Sequence, residues 1–429
     1  MRGQHRYGPA PYGASRGVPP SSLGGLESLS RMPLADFAVL PLILGFFVVY
    51  LNLDEVAAPG LGNQAEKGLL LIGAILVVLT RPIAPAKLYV TLALAAVPAI
   101  SLIGTDFLYA TSGRFIRGFI SYMVPWLMMM VLLRERDAKL FMVALALAPI
   151  FSCCLGFLYE TVGVWKMFHY SYDGANRLQG STIPAFLAAG SALGAFAALA
   201  VARHYDQRYL FVVLANLAIL ALTGGRMALA IALLALGFFV LTRYRITTGL
   251  ITQGVVAVGV MAVAAFVLFP DLIARLSHDD DSGRGMLWAT VIRVWDAHPY
   301  FGIGLGHQGM IVPESVSKWV TTTAAHNEYI RLGSEIGWVG LTLLGLVYVA
   351  FMWVNSMHGP KQGDVLFPLM CVLFLLFSYS DNALSQPTMF GLMVAALYER
   401  GLGVGRPARI PFSPNPFRRR PPEGWGPLA

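Results

Sequence analysis

The sequence predicts an all-α polytopic membrane protein of about twelve transmembrane helices, and three observations carry that prediction. Of its 429 residues, 56% are hydrophobic and only 13% charged, about half the charged share of an ordinary soluble domain. The apolar residues come in continuous runs approaching the roughly 17–25 residues that cross hydrocarbon, without the alternation of a barrel strand. Lys and Arg also fall mainly in the connections that an inside N-terminus leaves in the cytoplasm, as the positive-inside rule requires.

Residues 1–33 are rich in Gly, Pro and Ser, lack the apolar core of a cleavable signal, and read as a disordered cytoplasmic tail. Transmembrane helices 1–9 are expected within residues 34–269. Their stretches are Leu34–Leu53, Gly68–Thr80, Lys87–Ile103, Phe115–Leu133, Lys139–Tyr159, Ile183–Ala202, Tyr209–Leu222, Met227–Leu241 and Gly249–Phe269. A long polar loop covers 270–331. Helices 10–12 follow within 332–398, at Leu332–Asn355, Leu366–Phe377 and Gln386–Tyr398, and a basic, Pro-rich cytoplasmic tail covers 399–429.

With the N-terminus inside, 20 of the 31 Lys and Arg residues lie in cytoplasmic segments. Both termini are therefore expected in the cytoplasm and the long loop in the periplasm of a bacterial inner membrane. The same distribution explains the net charge of +8 without nucleic acid. Cys153, Cys154 and Cys371 all fall in apolar stretches and read as packing residues, the adjacent pair being badly placed for an ordinary disulfide.

The remaining outer arginines run against the topological bias. Arg177 precedes the sixth span in Arg177-Leu-Gln-Gly180, Arg226 opens the eighth in Thr223-Gly-Gly-Arg226, and Arg284 lies in Gly283-Arg284-Gly285. Taken singly, each is explained equally well by a guanidinium snorkelling to the interface. Within the loop, Leu287, Trp288, Val291, Ile292 and Trp295 form a stripe on one helical face. That stripe suits either a helix lying in the outer interface or one packed on the protein. A glycine-spaced turn, Gly302-Ile-Gly304-Leu-Gly306, comes next, and the loop closes on His326-Asn327-Glu328-Tyr329, followed by Gly333, Glu335, Gly337 and Gly340. Asp381-Asn382, between the last two spans, reads as a capped turn without chemistry.

These motifs resemble, in order, those of the O-antigen ligase and polymerase-like membrane glycosyltransferases, including lipopolysaccharide ligases and exopolysaccharide polymerases. The resemblance rests on Arg177-Leu-Gln-Gly-Ser-Thr-Ile-Pro184, Gly225-Arg226, Gly283-Arg284 with Leu287-Trp288, His298-Pro299 with the glycine turn, and His326-Asn327-Glu-Tyr329. It implies a GT-C-type helical bundle whose periplasmic loop contains short helices, and an active site facing the periplasm. It further implies an undecaprenyl diphosphate-linked glycan as donor and a lipid A-core or glycan hydroxyl as acceptor.

The chemistry then assigns expected roles. Arginine stays protonated and presents a planar fork to phosphate oxygens, so Arg226 and Arg284, with Arg177 as a third, are expected to clamp the diphosphate. No metal cluster and no cofactor are expected. His326 is the expected general base, with Asn327, Glu328 and Glu335 in support, the two carboxylates as alternative bases or orienters of the histidine. Direct displacement with inversion is the expected course. Two readings from other classes compete: a transporter, which would place its polar groups at mid-membrane, and a scaffold of a polysaccharide assembly complex.

Overall fold

A computed structural model describes residues 37–103, 111–170, 176–244, 284–320, 322–357 and 363–403. The expected span Gly249–Phe269, the start of the long loop, the tail 1–33 and nearly all of the tail 399–429 lie outside them. Each of the other expected stretches overlaps a helix, the first of them only over Leu40–Val48. In chain order these are α1 (Leu40–Val48), a short α2 (Leu53–Val56), α3 (Leu61–Thr80), α4 (Pro85–Ile100), α5 (Ser112–Met129) and α6 (Glu135–Thr161). An antiparallel hairpin of β1 (Phe168–Tyr170) and β2 (Asn176–Leu178) sets His169 opposite Arg177. Then come α7 (Pro184–His204), α8 (Tyr209–Thr223), α9 (Arg226–Arg243), α10 (Arg284–Ala297), α11 (Glu314–Val320), α12 (Glu328–Met357), α13 (Leu366–Ser378) and α14 (Pro387–Glu399).

Five described helices, α3, α6, α7, α9 and α12, are long and apolar enough to cross a membrane, while α4, α8 and α13 are apolar but shorter. The chain is thus a helical protein with several membrane-spanning helices. Cys371 is buried as expected, whereas Cys154 is exposed and fills no gap in the core.

Small residues decide the packing, because helices in lipid associate through close backbone approach. Gly45 of α1 sits under the Leu70 side chain of α3, and Gly73 of α3 sits under Leu42 of α1. The alanine-rich α7 lies at the centre of the bundle, buried without a break from Leu187 to Ala202. It touches α6, α8, α9 and α14, and Gly194 gives room for Asn216, whose amide donates to the Ala146 carbonyl of α6 at 2.9 Å. Prolines open α7 and α14, where a missing N–H costs nothing.

The helices end in polar networks. At one end Arg243 joins Glu399 at 2.7 Å and Asp364 at 2.5 Å. His204 reaches Glu399 at 2.9 Å, and Arg81 of the α3–α4 connection binds Asp137 at 2.5 Å. The residues singled out as a site gather at the other end.

The long loop docks on α12. That helix is broken at Gly337, whose φ of 64° and ψ of −175° suit only glycine. The break frees backbone groups that the loop takes up. Ile303 and Gly304 donate to the Ser334 and Glu335 carbonyls, and the Trp338 and Val339 amides donate to the Pro299 and Tyr300 carbonyls. The amphipathic helix α10 rests on protein: Leu287 and Val291 are buried, and the Trp295 indole covers Gly333.

A Cβ on Gly337 would lie 2.3 Å from the Tyr300 carbonyl carbon. Gly337→Ala is therefore expected to destabilise the detergent-solubilised protein by about 1–3 kcal/mol. Gly345→Ala, in the same helix but with open space around it, is expected to be neutral or mildly stabilising. Thermal unfolding of the two variants checks this contrast.

Candidate active site

Residues Arg177, Arg226 and Arg284 line one cavity of about 400 Å³, together with Pro184, Trp288, Ser380 and Asp381. The three arginines come from separate elements, and each is held for a local reason. Arg177, on β2, donates through Nε to the Thr223 carbonyl at 3.1 Å and through a terminal nitrogen to Gly224 at 3.3 Å. It thereby takes up carbonyls that the last turn of α8 leaves without helical partners. Gly224 makes the turn possible with a φ of 66°, a common way to end a helix. Arg177 thus fixes the Thr223-Gly-Gly turn that delivers Arg226.

Arg226 stands at the first residue of α9, where a helix prefers negative charge because its dipole is positive there. A cation at that position adds to the field of the exposed backbone amides, which favours an anion in the cavity. Arg284 enters from α10 and donates to the Ser380 carbonyl at 3.1 Å. Beside it, the Trp288 indole donates to the Ala325 carbonyl at 2.7 Å and meets the Tyr379 ring at 6.2 Å. Helix α10 is thereby tied both to the α13–α14 turn and to the segment just before His326.

His326 does not itself line the cavity; its link to it is Asp381. Its Nδ1 lies 3.0 Å from Asp381 Oδ1, with side-chain exposures of 29% and 16%, so the pair is sheltered but reachable. In the tautomer with its proton on Nδ1, the imidazole donates a hydrogen bond to the carboxylate. The lone pair of Nε2 is then left to accept a proton. The backbone of His326 is left-handed, at φ 48°, an uncommon conformation for a β-carbon residue. Asn327 follows as the cap of α12, its Oδ1 accepting the Tyr329 and Ile330 amides at 3.0 and 3.1 Å. Its own amide donates to Asn382 Oδ1 at 3.3 Å, so the two turns are stitched together.

Two expectations need correction here. Glu328 and Glu335, expected as alternative bases or orienters of the histidine, are instead bound to Arg331. Arg331 pairs with Glu328, and it meets Glu335 at 2.8 Å. Glu335 Oε1 also accepts the Gln308 amide at 3.0 Å, which locks the glycine turn onto α12. Both carboxylates are buried, where a charge persists only when paired. Asp381, read from sequence as a capped turn, is the carboxylate that actually meets His326. Its Oδ1 also accepts the Asn382 amide at 2.8 Å, so the turn reading was incomplete and not unfounded. His307 is buried and structural: Nε2 accepts the Thr111 amide at 3.1 Å, and Nδ1 faces the Leu305 carbonyl at 3.0 Å.

Residues 210–345 match the O-antigen ligase family. The matched stretch runs from α8 into α12 and contains Arg226, Arg284 and His326, while Arg177 and Asp381 lie to either side of it. The match covers 136 of the 429 residues, and over that stretch the chain is similar to the O-antigen ligase family. No individual curated protein matches the chain.

Proposed function

We propose that the chain is an O-antigen ligase-type glycosyltransferase of the bacterial inner membrane. It moves a glycan from undecaprenyl diphosphate to a lipid A-core hydroxyl on the periplasmic face, with inversion and without a metal ion. The observation that carries this reading is the convergence on one cavity of three arginines and Asp381, the carboxylate that holds His326.

The chemistry follows from that arrangement. The diphosphate of the lipid carrier occupies the arginine cavity, with Arg226 and Arg284 on its oxygens and Arg177 holding the turn between α8 and α9. The acceptor hydroxyl approaches the anomeric carbon from the face opposite the diphosphate and gives its proton to Nε2 of His326. Asp381 keeps the imidazole oriented and stabilises the imidazolium that forms, as carboxylates do beside basic histidines. The new C–O bond forms as the bond between anomeric carbon and phosphate oxygen breaks. The electron pair goes to the diphosphate, whose growing charge the guanidinium groups stabilise. In this scheme the arginines supply the positive charge that a divalent cation provides in many sugar transferases. EDTA is accordingly expected to leave transfer by the purified protein unchanged, and complete loss restored by added metal would refute that part of the scheme.

A deletion strain separates ligase from polymerase. Loss of long glycan from lipid A-core, with full-length polymer still on the carrier, is the expected phenotype. Accumulation of single repeat units on the carrier would mean that the acceptor is another lipid-linked glycan and that the chain is a polymerase. Normal glycans with altered solute uptake would return the transporter reading.

A further inference from the structure

A second open cavity, of about 530 Å³, lies beside the hairpin and is lined by Glu160, Trp165, Lys166, His169 and Gln179 among others. Its size is that of a small-molecule site. It adjoins the arginine cavity through the hairpin itself. His169, which lines the second cavity, is the register partner of Arg177, which lines the first. Side chains directly opposite on an antiparallel pair emerge on the same face, about 5 Å apart at Cβ.

The walls of this second cavity are held in place from behind. The Trp165 indole N–H donates to the Gly180 carbonyl at 3.1 Å, and the buried Gln179 amide donates to the Lys166 carbonyl at 2.7 Å. An anchored indole offers a fixed apolar face. Around it stand a carboxylate on Glu160, an ammonium on Lys166 and an imidazole on His169. An indole that shares a cavity lining with hydrogen-bonding groups of both polarities suits a pyranose, whose C–H face is apolar and whose hydroxyls both donate and accept. An anionic lipid headgroup would use the cation alone and leave the carboxylate unpaired.

The geometry points to this cavity as a subsite for the sugars of the transferred glycan beyond the one bonded to the diphosphate. The inference rests on the transferase reading above, since it takes the diphosphate to lie in the arginine cavity next door. It goes further in naming Trp165, Lys166 and His169 as residues that hold the chain of sugars and so set how strongly a long glycan is preferred to a short one.

The test uses the full-length protein in lipid nanodiscs and the cell's own glycan, freed from its carrier and its diphosphate by mild acid. Binding is followed by calorimetry and tryptophan fluorescence. Wild-type protein is expected to bind this free glycan. Trp165→Ala, and the double variant Lys166→Ala/His169→Ala, are expected to bind at least about tenfold more weakly. The double variant changes only exposed side chains and guards against a folding defect in Trp165→Ala. Absence of binding to wild-type protein, or equal binding by the double variant, would overturn the subsite. Transfer from the intact lipid-linked donor is read separately. A chain that binds the glycan at the hairpin but transfers nothing keeps the subsite and loses the transferase reading. One that transfers normally while its hairpin variants bind glycan like wild type keeps the transferase and loses the subsite.

Discussion

Replacing His326 with alanine is expected to lower kcat for glycan transfer by about 10²- to 10⁴-fold with little change in KM for the lipid-linked donor. The size follows from removing the only step in which the protein takes a proton. The KM is spared because the imidazole serves the acceptor hydroxyl and makes no contact with the donor's diphosphate. Asp381→Asn provides the sharper comparison. An amide in place of the carboxylate retains the turn bonds to Asn382 in outline but can donate to Nδ1, which favours the wrong tautomer and withdraws the lone pair at Nε2. It is expected to lower kcat while leaving the melting temperature nearly unchanged. A purely structural contact between the α13–α14 turn and the loop would instead show its effect in stability. Rates and melting curves on the two variants decide between these outcomes.

The second large effect belongs to the arginines. Arg226→Ala or Arg284→Ala is expected to cost about 10²- to 10³-fold in kcat, the range seen when one fixed donor to a developing anion is removed. Lysine at either position is expected to recover part of the loss, since it restores the charge but not the planar fork. Arg177 is expected to behave differently, because its guanidinium already serves the Thr223 and Gly224 carbonyls. Arg177→Lys should loosen the turn that presents Arg226 and raise KM as well as lowering kcat. Steady-state kinetics with lipid-linked donor, run across the three positions, separates direct contact from positioning.

Much of the fold was legible because hydrophobic length and glycine placement are local signals. Each expected span among the described residues overlaps a helix, and the stripe from Leu287 to Trp295 is a helix too. The choice between lipid and protein as the partner of that stripe was not legible. It depends on Gly333 leaving room for Trp295, a contact between elements far apart in sequence. The arginines could be picked out because charge on the expected outer side of a membrane protein needs a cause. Their meeting in one cavity is a matter of which helix ends share a face of the bundle.

The carboxylates show the limits most clearly. Glu328 and Glu335 are near His326 in sequence, yet Arg331 takes both. The spacing of three and four residues puts those three side chains on one helical face, so that pairing is legible in the sequence. Asp381 is 55 residues from His326, and only the packing of the α13–α14 turn against the end of the loop brings the two together. No local pattern distinguishes such a residue from an ordinary turn aspartate.

The central claim is tested most directly by purified full-length protein in nanodiscs, supplied with undecaprenyl diphosphate-linked glycan and lipid A-core. Free undecaprenyl diphosphate is counted alongside the product, and the anomeric configuration of the new linkage is read by NMR. One undecaprenyl diphosphate released for each glycan joined to lipid A-core, with the configuration inverted, is the expected result. Glycan joined with retention of configuration, or no transfer to any hydroxyl acceptor from a well-folded protein, would contradict it.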